Sequence, residues 1–109
     1  MASDLSFVQY ICDQLRDSGE IRYKKMFGEY MVYVDNVPVV LVCDNTPYIK
    51  KLDSIKDLMD NSLTGLPYDG AKEHYILDID DKEGLQVIIA KAVKERKTTT
   101  KSASRKKLF

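Results

Sequence analysis

Residues Val37 to Cys43 form an unbroken apolar run, bounded on one side by Asp35-Asn36 and on the other by Asp44-Asn45-Thr46. This run constrains the fold more than any other part of the chain. Valines are stiff at χ1 and pack well on a pleated surface, so the run reads as a β-strand. Asp and Asn tolerate positive φ, so each boundary reads as a tight turn. A strand with a tight turn at each end pairs antiparallel with both of its sequence neighbours. Strict alternation places Val37, Val39, Leu41 and Cys43 on one face and Val40 and Val42 on the other, and a strand apolar on both faces belongs in the centre of a sheet.

The neighbouring segments extend this pattern. Ile21 to Met26, Glu29 to Val34 and Pro47 to Lys51 read as further strands, and Glu73 to Asp78 as a last one. Leu5, Val8, Ile11, Cys12 and Leu15 recur at three- and four-residue steps before Ser18-Gly19. They predict an amphipathic helix over residues 4–18, with Ser3 as its N-cap. Leu52, Ile55, Leu58 and Met59 predict a short middle helix, and Asn61 to Gly70 a loop. Asp80 and Glu83 have capping-box spacing ahead of Leu85, Ile88, Ile89, Ala92 and Val93, a C-terminal helix expected to end near Lys97. The expected class is α+β: an N-terminal helix, a curved antiparallel sheet of about five strands, a short middle helix and a C-terminal helix.

With 109 residues, 44% hydrophobic and 31% charged, the chain has the composition of one globular domain and not of a disordered segment. Its zero formal charge conceals a division. All 17 acids lie between Asp4 and Glu95 against 11 basic residues, a net of −6 for residues 1–95. Residues 96–109 carry Arg96, Lys97, Lys101, Arg105, Lys106 and Lys107, no acid, and three threonines and two serines. This stretch is expected to be an unordered basic tail, able to attract nucleic acid weakly and without sequence preference. No apolar run approaches the length of a membrane span, and the N-terminus lacks a basic region followed by an apolar one, so a cytoplasmic location is expected.

Catalytic chemistry finds little support in the residue types. His74 is the only histidine, and its neighbours Tyr75 and Ile76 make it a strand residue without an obvious orienting partner. Asp78, Asp80 and Asp81 could suggest a hard cation, but carboxylates at a strand-to-helix junction are better read as helix caps. Cys12 and Cys43 lie in apolar surroundings and are expected to be unbridged. Neither a P-loop nor a dinucleotide-binding glycine pattern occurs. The expectation is therefore a binding protein, with no catalytic residue, cofactor or metal. Tyr23-Lys24-Lys25 and Tyr48-Ile49-Lys50-Lys51 could form an aromatic and basic nucleic-acid surface, although packing of tyrosine on the sheet explains them as well.

Three segments taken together resemble the TfoX N-terminal domain family: Lys25-Met26-Phe27-Gly28-Glu29-Tyr30 with Val32-Tyr33-Val34-Asp35, then Val40-Leu41-Val42-Cys43-Asp44, then Leu66-Pro67-Tyr68-Asp69-Gly70-Ala71-Lys72. The resemblance covers residues 5–95. It implies a mixed α+β fold, no known catalytic residue, and kinship with regulators of natural competence and DNA transformation, which carry a second domain after this one. The leading expectation is a regulatory module that binds a protein partner, and the rival is a nucleic-acid-binding protein that uses residues 96–109. Lys25, Met26, Phe27, Gly28, Glu29, Tyr30, Tyr68, Gly70 and Lys72 are the candidate partner-binding residues. The two glycine loops that hold them are expected to meet on one side of the sheet. Homodimers, if they form, are expected to use the sheet or an exposed edge strand.

Overall fold

A computed structural model describes residues 3–26 and 29–107 of the chain, residues 98–107 by their backbone alone. The fold is α+β. Helix α1 (Leu5–Gln14) leads into strands β1 (Ile21–Met26), β2 (Glu29–Val34), β3 (Val37–Cys43) and β4 (Thr46–Ile49). Strands β5 (Thr64–Gly65) and β6 (His74–Ile76) follow, then helix α2 (Lys82–Lys107). Among the described residues, six strands form one antiparallel sheet in the order β1-β2-β3-β4-β6-β5. The count exceeds the expected five because the supposed loop after Asn61 contains β5, two residues that pair with β6. A strand this short has no alternation to detect.

Both tight turns form as expected. Asp35 and Asn36 have φ of 51° and 68°, and Asp44 and Asn45 have 51° and 54°, the paired positive values of a two-residue turn whose twist matches the flanking strands. The face assignment of β3 needs correction. Val32 is opposite Val40 but Tyr33 is opposite Pro38, so Val39 is the extra residue of a β-bulge. Pro38 has no N–H to give to the ladder, and a bulge is one of the few places where a sheet tolerates proline. Beyond the bulge the faces exchange. Val37, Val40 and Val42 share the core side with Tyr30, Val32 and Val34, and Val39 is buried in the same core cluster, while Pro38 and Leu41 are only half-buried.

Val8, Ile11 and Leu15 of the N-terminal helical segment are fully buried against this core, as are Leu85, Ile89 and Ala92 of α2. Leu5, expected on the same face, is exposed. The N-cap position of α1 is Asp4, and Ser3 is instead buried, with its hydroxyl 3.3 Å from the Val42 carbonyl and accepting the Asn45 N–H at 3.0 Å. After Gln14 the chain tightens into a 3₁₀ turn over Arg16–Ser18 and stops at Gly19, whose φ is 144°. A Cβ at Gly19 would lie 2.7 Å from an Asp35 carboxylate oxygen, which would have to shift, and the positive φ by itself disfavours a side chain here.

The middle helix is only a 3₁₀ turn (Asp53–Ile55) followed by one α-type hydrogen bond, Met59 N–H to the Ile55 carbonyl. Ile55 and Met59 are the buried pair it delivers to the core. The cap of α2 is Asp81 rather than Asp80. Its carboxylate accepts the Gly84 N–H at 3.2 Å and its carbonyl accepts the Leu85 N–H at 2.8 Å. Helix α2 also does not end near Lys97. Residues 98–107 contain neither glycine nor proline, so no residue breaks the helix before Lys107. Among the described residues no helix is long and apolar enough to cross a membrane.

Candidate functional site

The register decides where the two glycine loops lie. Tyr30 is opposite Val42, Val42 is opposite Pro47, and the Pro47 carbonyl accepts the Leu77 N–H, so these four residues mark one row across the sheet. Lys25, Met26 and Glu29 lie at or beyond one end of that row. Tyr68 to Lys72 precede His74, which lies beyond the pairing of Ile49 with Tyr75, toward the opposite end of the strands. The described residues Lys25, Met26, Glu29 and Tyr30 and the Tyr68–Lys72 turn lie at opposite corners of the sheet. Phe27 and Gly28 lie outside the described residues.

The residues of the first loop have structural duties. The Glu29 carboxylate receives the Asp44 N–H at 2.7 Å and the Ser3 hydroxyl at 3.1 Å, tying the second tight turn to the N-terminus. Tyr30 is buried and meets the ring of Tyr23 edge to face at 5.9 Å. Burial, followed by the nearby Glu29 carboxylate, raises the Cys43 thiol pKa to about 11. Cys12 and Cys43 are free thiols. Lys25 stays exposed on edge strand β1.

The second loop belongs to a cleft. The Ala71 N–H bonds the Tyr68 carbonyl at 3.1 Å across a turn in which Gly70 has φ of 85°, the positive angle that the third residue of a type II turn requires. This turn sets Tyr68 and Lys72 at the rim of a cleft of about 630 Å³. Its apolar lining includes Met31, Val39, Leu41, Tyr48, Leu52 and Ala92. Lys50, Lys51, Lys72 and Arg96 supply cations, and Glu73 one anion. Glu73 is already engaged. It forms an ion pair with Lys51 and accepts the Thr64 hydroxyl at 3.1 Å, contacts that hold its carboxyl below the usual carboxylate range, with Lys51 the larger cause. The Lys50 ammonium is pushed below the usual lysine value, first by Arg96, then by partial burial and by Lys72. The site is a half-open apolar trough with an excess of positive charge.

His74 stands on the cleft wall edge to face with Tyr48, ring centres 6.4 Å apart, with its Nδ1 2.7 Å from the Lys72 carbonyl. A carbonyl only accepts, so Nδ1 carries the hydrogen. The three aspartates at the strand-to-helix junction also have partners. Asp78 accepts the Asp80 N–H, Asp80 accepts the Tyr10 hydroxyl at 2.6 Å, and Asp81 caps α2. The hydrogen bond to Asp80 is the first cause of the raised Tyr10 pKa. Among the described residues no cluster of His, Cys, Asp or Glu is arranged to hold a metal ion.

A second surface was not anticipated from the sequence. Leu58 and Leu63 are 47% and 75% exposed, and with Ile76 and Ile88 they line a groove beside the start of α2. Asp57, Asp60, Asp78 and Asp81 line the same groove. Leu66 and Tyr68 are also exposed. Leu58 had been assigned to the buried face of a regular helix; shortening to a 3₁₀ turn releases it to solvent.

Comparison with known proteins identifies a relative. The chain is 37% identical over 78 residues to an uncharacterised 12.7 kDa protein in the trpE 5′ region of Spirochaeta aurantia, an alignment covering 72% of this chain and 68% of that one. The chain belongs to the same family as that protein. No protein-family model matches it.

Proposed function

We propose that the chain is a non-enzymatic regulatory module of the TfoX N-terminal type, acting in the cytoplasm by docking a protein partner in the groove of Leu58 and Leu63. The observation that carries this reading is the exposure of two large aliphatic side chains in a groove that four carboxylates also line. An apolar surface of this kind gains from being covered, and an acidic rim selects a partner segment that is both apolar and basic. The resemblance of the three sequence segments to the competence regulators supports the regulatory role.

The test is affinity purification from a native lysate with three baits: the natural chain, Leu58→Glu with Leu63→Glu, and Lys72→Gln in the separate cleft. A partner retained by the natural chain and by Lys72→Gln but lost from the double variant is the expected result. Identical protein sets on all three baits would refute docking at the groove.

The continuity of α2 favours a second reading, binding of nucleic acid by its basic end. Lys97, Lys101 and Arg105 follow at four-residue steps on an unbroken helix, positions that fall along one side of it. A helix presents such charges to phosphates with less ordering cost than an unordered tail.

A further inference from the structure

We propose that the cleft beneath the Tyr68–Lys72 turn is a binding site for a small organic phosphate, held through its phosphate by Lys50, Lys72 and Arg96 and through its apolar body by Met31, Leu41 and Tyr48. This goes beyond partner docking, since it concerns another surface and another class of ligand. The cleft volume of about 630 Å³ lies within the range of small-molecule sites. Its composition is also that of such sites: an apolar lining with a few polar and charged groups among it.

The charge balance selects the anion. Among the charged groups that line the cleft, Lys51 and Glu73 neutralise one another, which leaves Lys50, Lys72 and Arg96 in excess, with Glu95 beside Arg96 but outside the lining. Three cations brought together on a partly apolar surface repel one another, and the depression of the Lys50 pKa by Arg96 and Lys72 registers that repulsion. A phosphate monoester carries about −1.5 to −2 at neutral pH and three acceptor oxygens, so it matches three donors better than a single carboxylate does. Inorganic phosphate would satisfy the cations but leave Met31, Leu41 and Tyr48 facing water. The ligand therefore needs an apolar body joined to its phosphate. The turn that carries Lys72 and the wall that carries His74 are adjacent in sequence, so the rim is fixed on the side of the sheet away from the β1–β2 end.

Phenyl phosphate is a suitable probe, with inorganic phosphate and phenol as controls for the charged and apolar halves, titrated against the full chain by calorimetry and by NMR of the lysine side chains. Phenyl phosphate is expected to bind at least about tenfold more tightly than either control. The Lys50 pKa is expected to rise on binding as the anion offsets its cationic neighbours. Lys50→Gln and Lys72→Gln, both at exposed positions, should each weaken binding by about tenfold with an unchanged melting temperature. Arg96→Lys should retain part of the affinity that Arg96→Gln loses. Lack of saturation by phenyl phosphate, equal affinity for inorganic phosphate, or indifference to both lysine substitutions would overturn the proposal.

Discussion

At the scale of single residues, the backbone angles of the two tight turns carry a measurable cost. Asn36, at φ of 68°, occupies a region that penalises most side chains by about 1–2 kcal/mol. Asn36→Ala should lower stability by about 1 kcal/mol, whereas Asn36→Gly should stay within a few tenths of the natural chain, because glycine adopts the angle freely. Urea melts of the two variants provide the check, and equal midpoints would exclude the backbone explanation. Cys43 offers a chemical test. A thiol pKa raised from the ordinary 9.0 to about 11 leaves little thiolate at pH 8. Labelling of Cys43 by a disulfide reagent at that pH should be slower by about a hundredfold or more in the native chain than in urea. The sign of the linkage follows from the raised value. The protonated thiol contributes stability that is complete below pH 9.0 and is lost as pH rises through about 11, so alkaline melts should show a decline there that Cys43→Ser alters. Both residues were legible in the sequence as turn and core, because Asn before a strand and Cys within an apolar run are local signals. The Glu29 contacts to Ser3 and Asp44 were not, since those groups are distant along the chain and meet only after β2 and β3 pair.

At the scale of elements, α2 is fastened to the middle of the chain by a specific polar contact. The Glu95 carboxylate accepts the Ser54 N–H at 2.7 Å, and the Ser54 hydroxyl donates to the Lys91 carbonyl at 3.3 Å. The contact with Ser54 is the main reason that the Glu95 carboxyl sits below its ordinary pKa. A depressed carboxyl contributes stability above the unfolded pKa and loses it as pH falls through the folded one, so this contact should weaken in acid below about pH 4.5. Glu95→Ala should destabilise the chain by about 1 kcal/mol at pH 7 and by less at pH 3, measurable as a shrinking difference in melting temperature. A difference independent of pH would assign the effect to packing. Strand β1 raises a second question at this scale. It is an edge strand whose exposed Arg22, Lys24 and Lys25 would face their copies in a two-fold β1–β1 pairing, so association by that edge should strengthen as salt screens the charges. Light scattering at low and high ionic strength provides the check, and association that salt leaves unchanged would exclude pairing through this edge. The helices and long strands were readable because their periods repeat. The 3₁₀ turn at Asp53–Ile55 and the two-residue β5 were not, because neither is long enough to establish a period.

At the scale of the whole molecule, charge is divided between a body of −6 and a C-terminal run of six cations at the end of α2. If all six met phosphates of duplex DNA, the logarithm of affinity against the logarithm of salt would have a slope of about −5. The acidic body repels the same polyanion, so a shallower slope is expected. Titration of labelled duplex with the full chain and with a chain ending at Lys97 should show binding only for the former, falling steeply with salt. Equal binding by both would place any contact elsewhere, for instance on the Tyr23-Lys24-Lys25 strand.

The sequence by itself determined the fold class, the meander around Val37 to Cys43, the two Asp-Asn turns and the core face of α2, because each rests on a local period or a local backbone preference. It also marked Tyr68, Gly70 and Lys72 as a turn worth examining. Only the tertiary structure decided that this turn stands apart from Lys25 to Tyr30, since strand order and register are settled by pairings between distant segments. The same holds for the cleft. Alternation alone placed Leu41 on the face of Val37, and the bulge near Pro38 separates them, leaving Leu41 half-buried in the lining of the cleft while Val37 is buried in the core. Lys50, Lys72 and Arg96 come from three separate segments, and their proximity is a property of the closed fold rather than of any stretch of sequence.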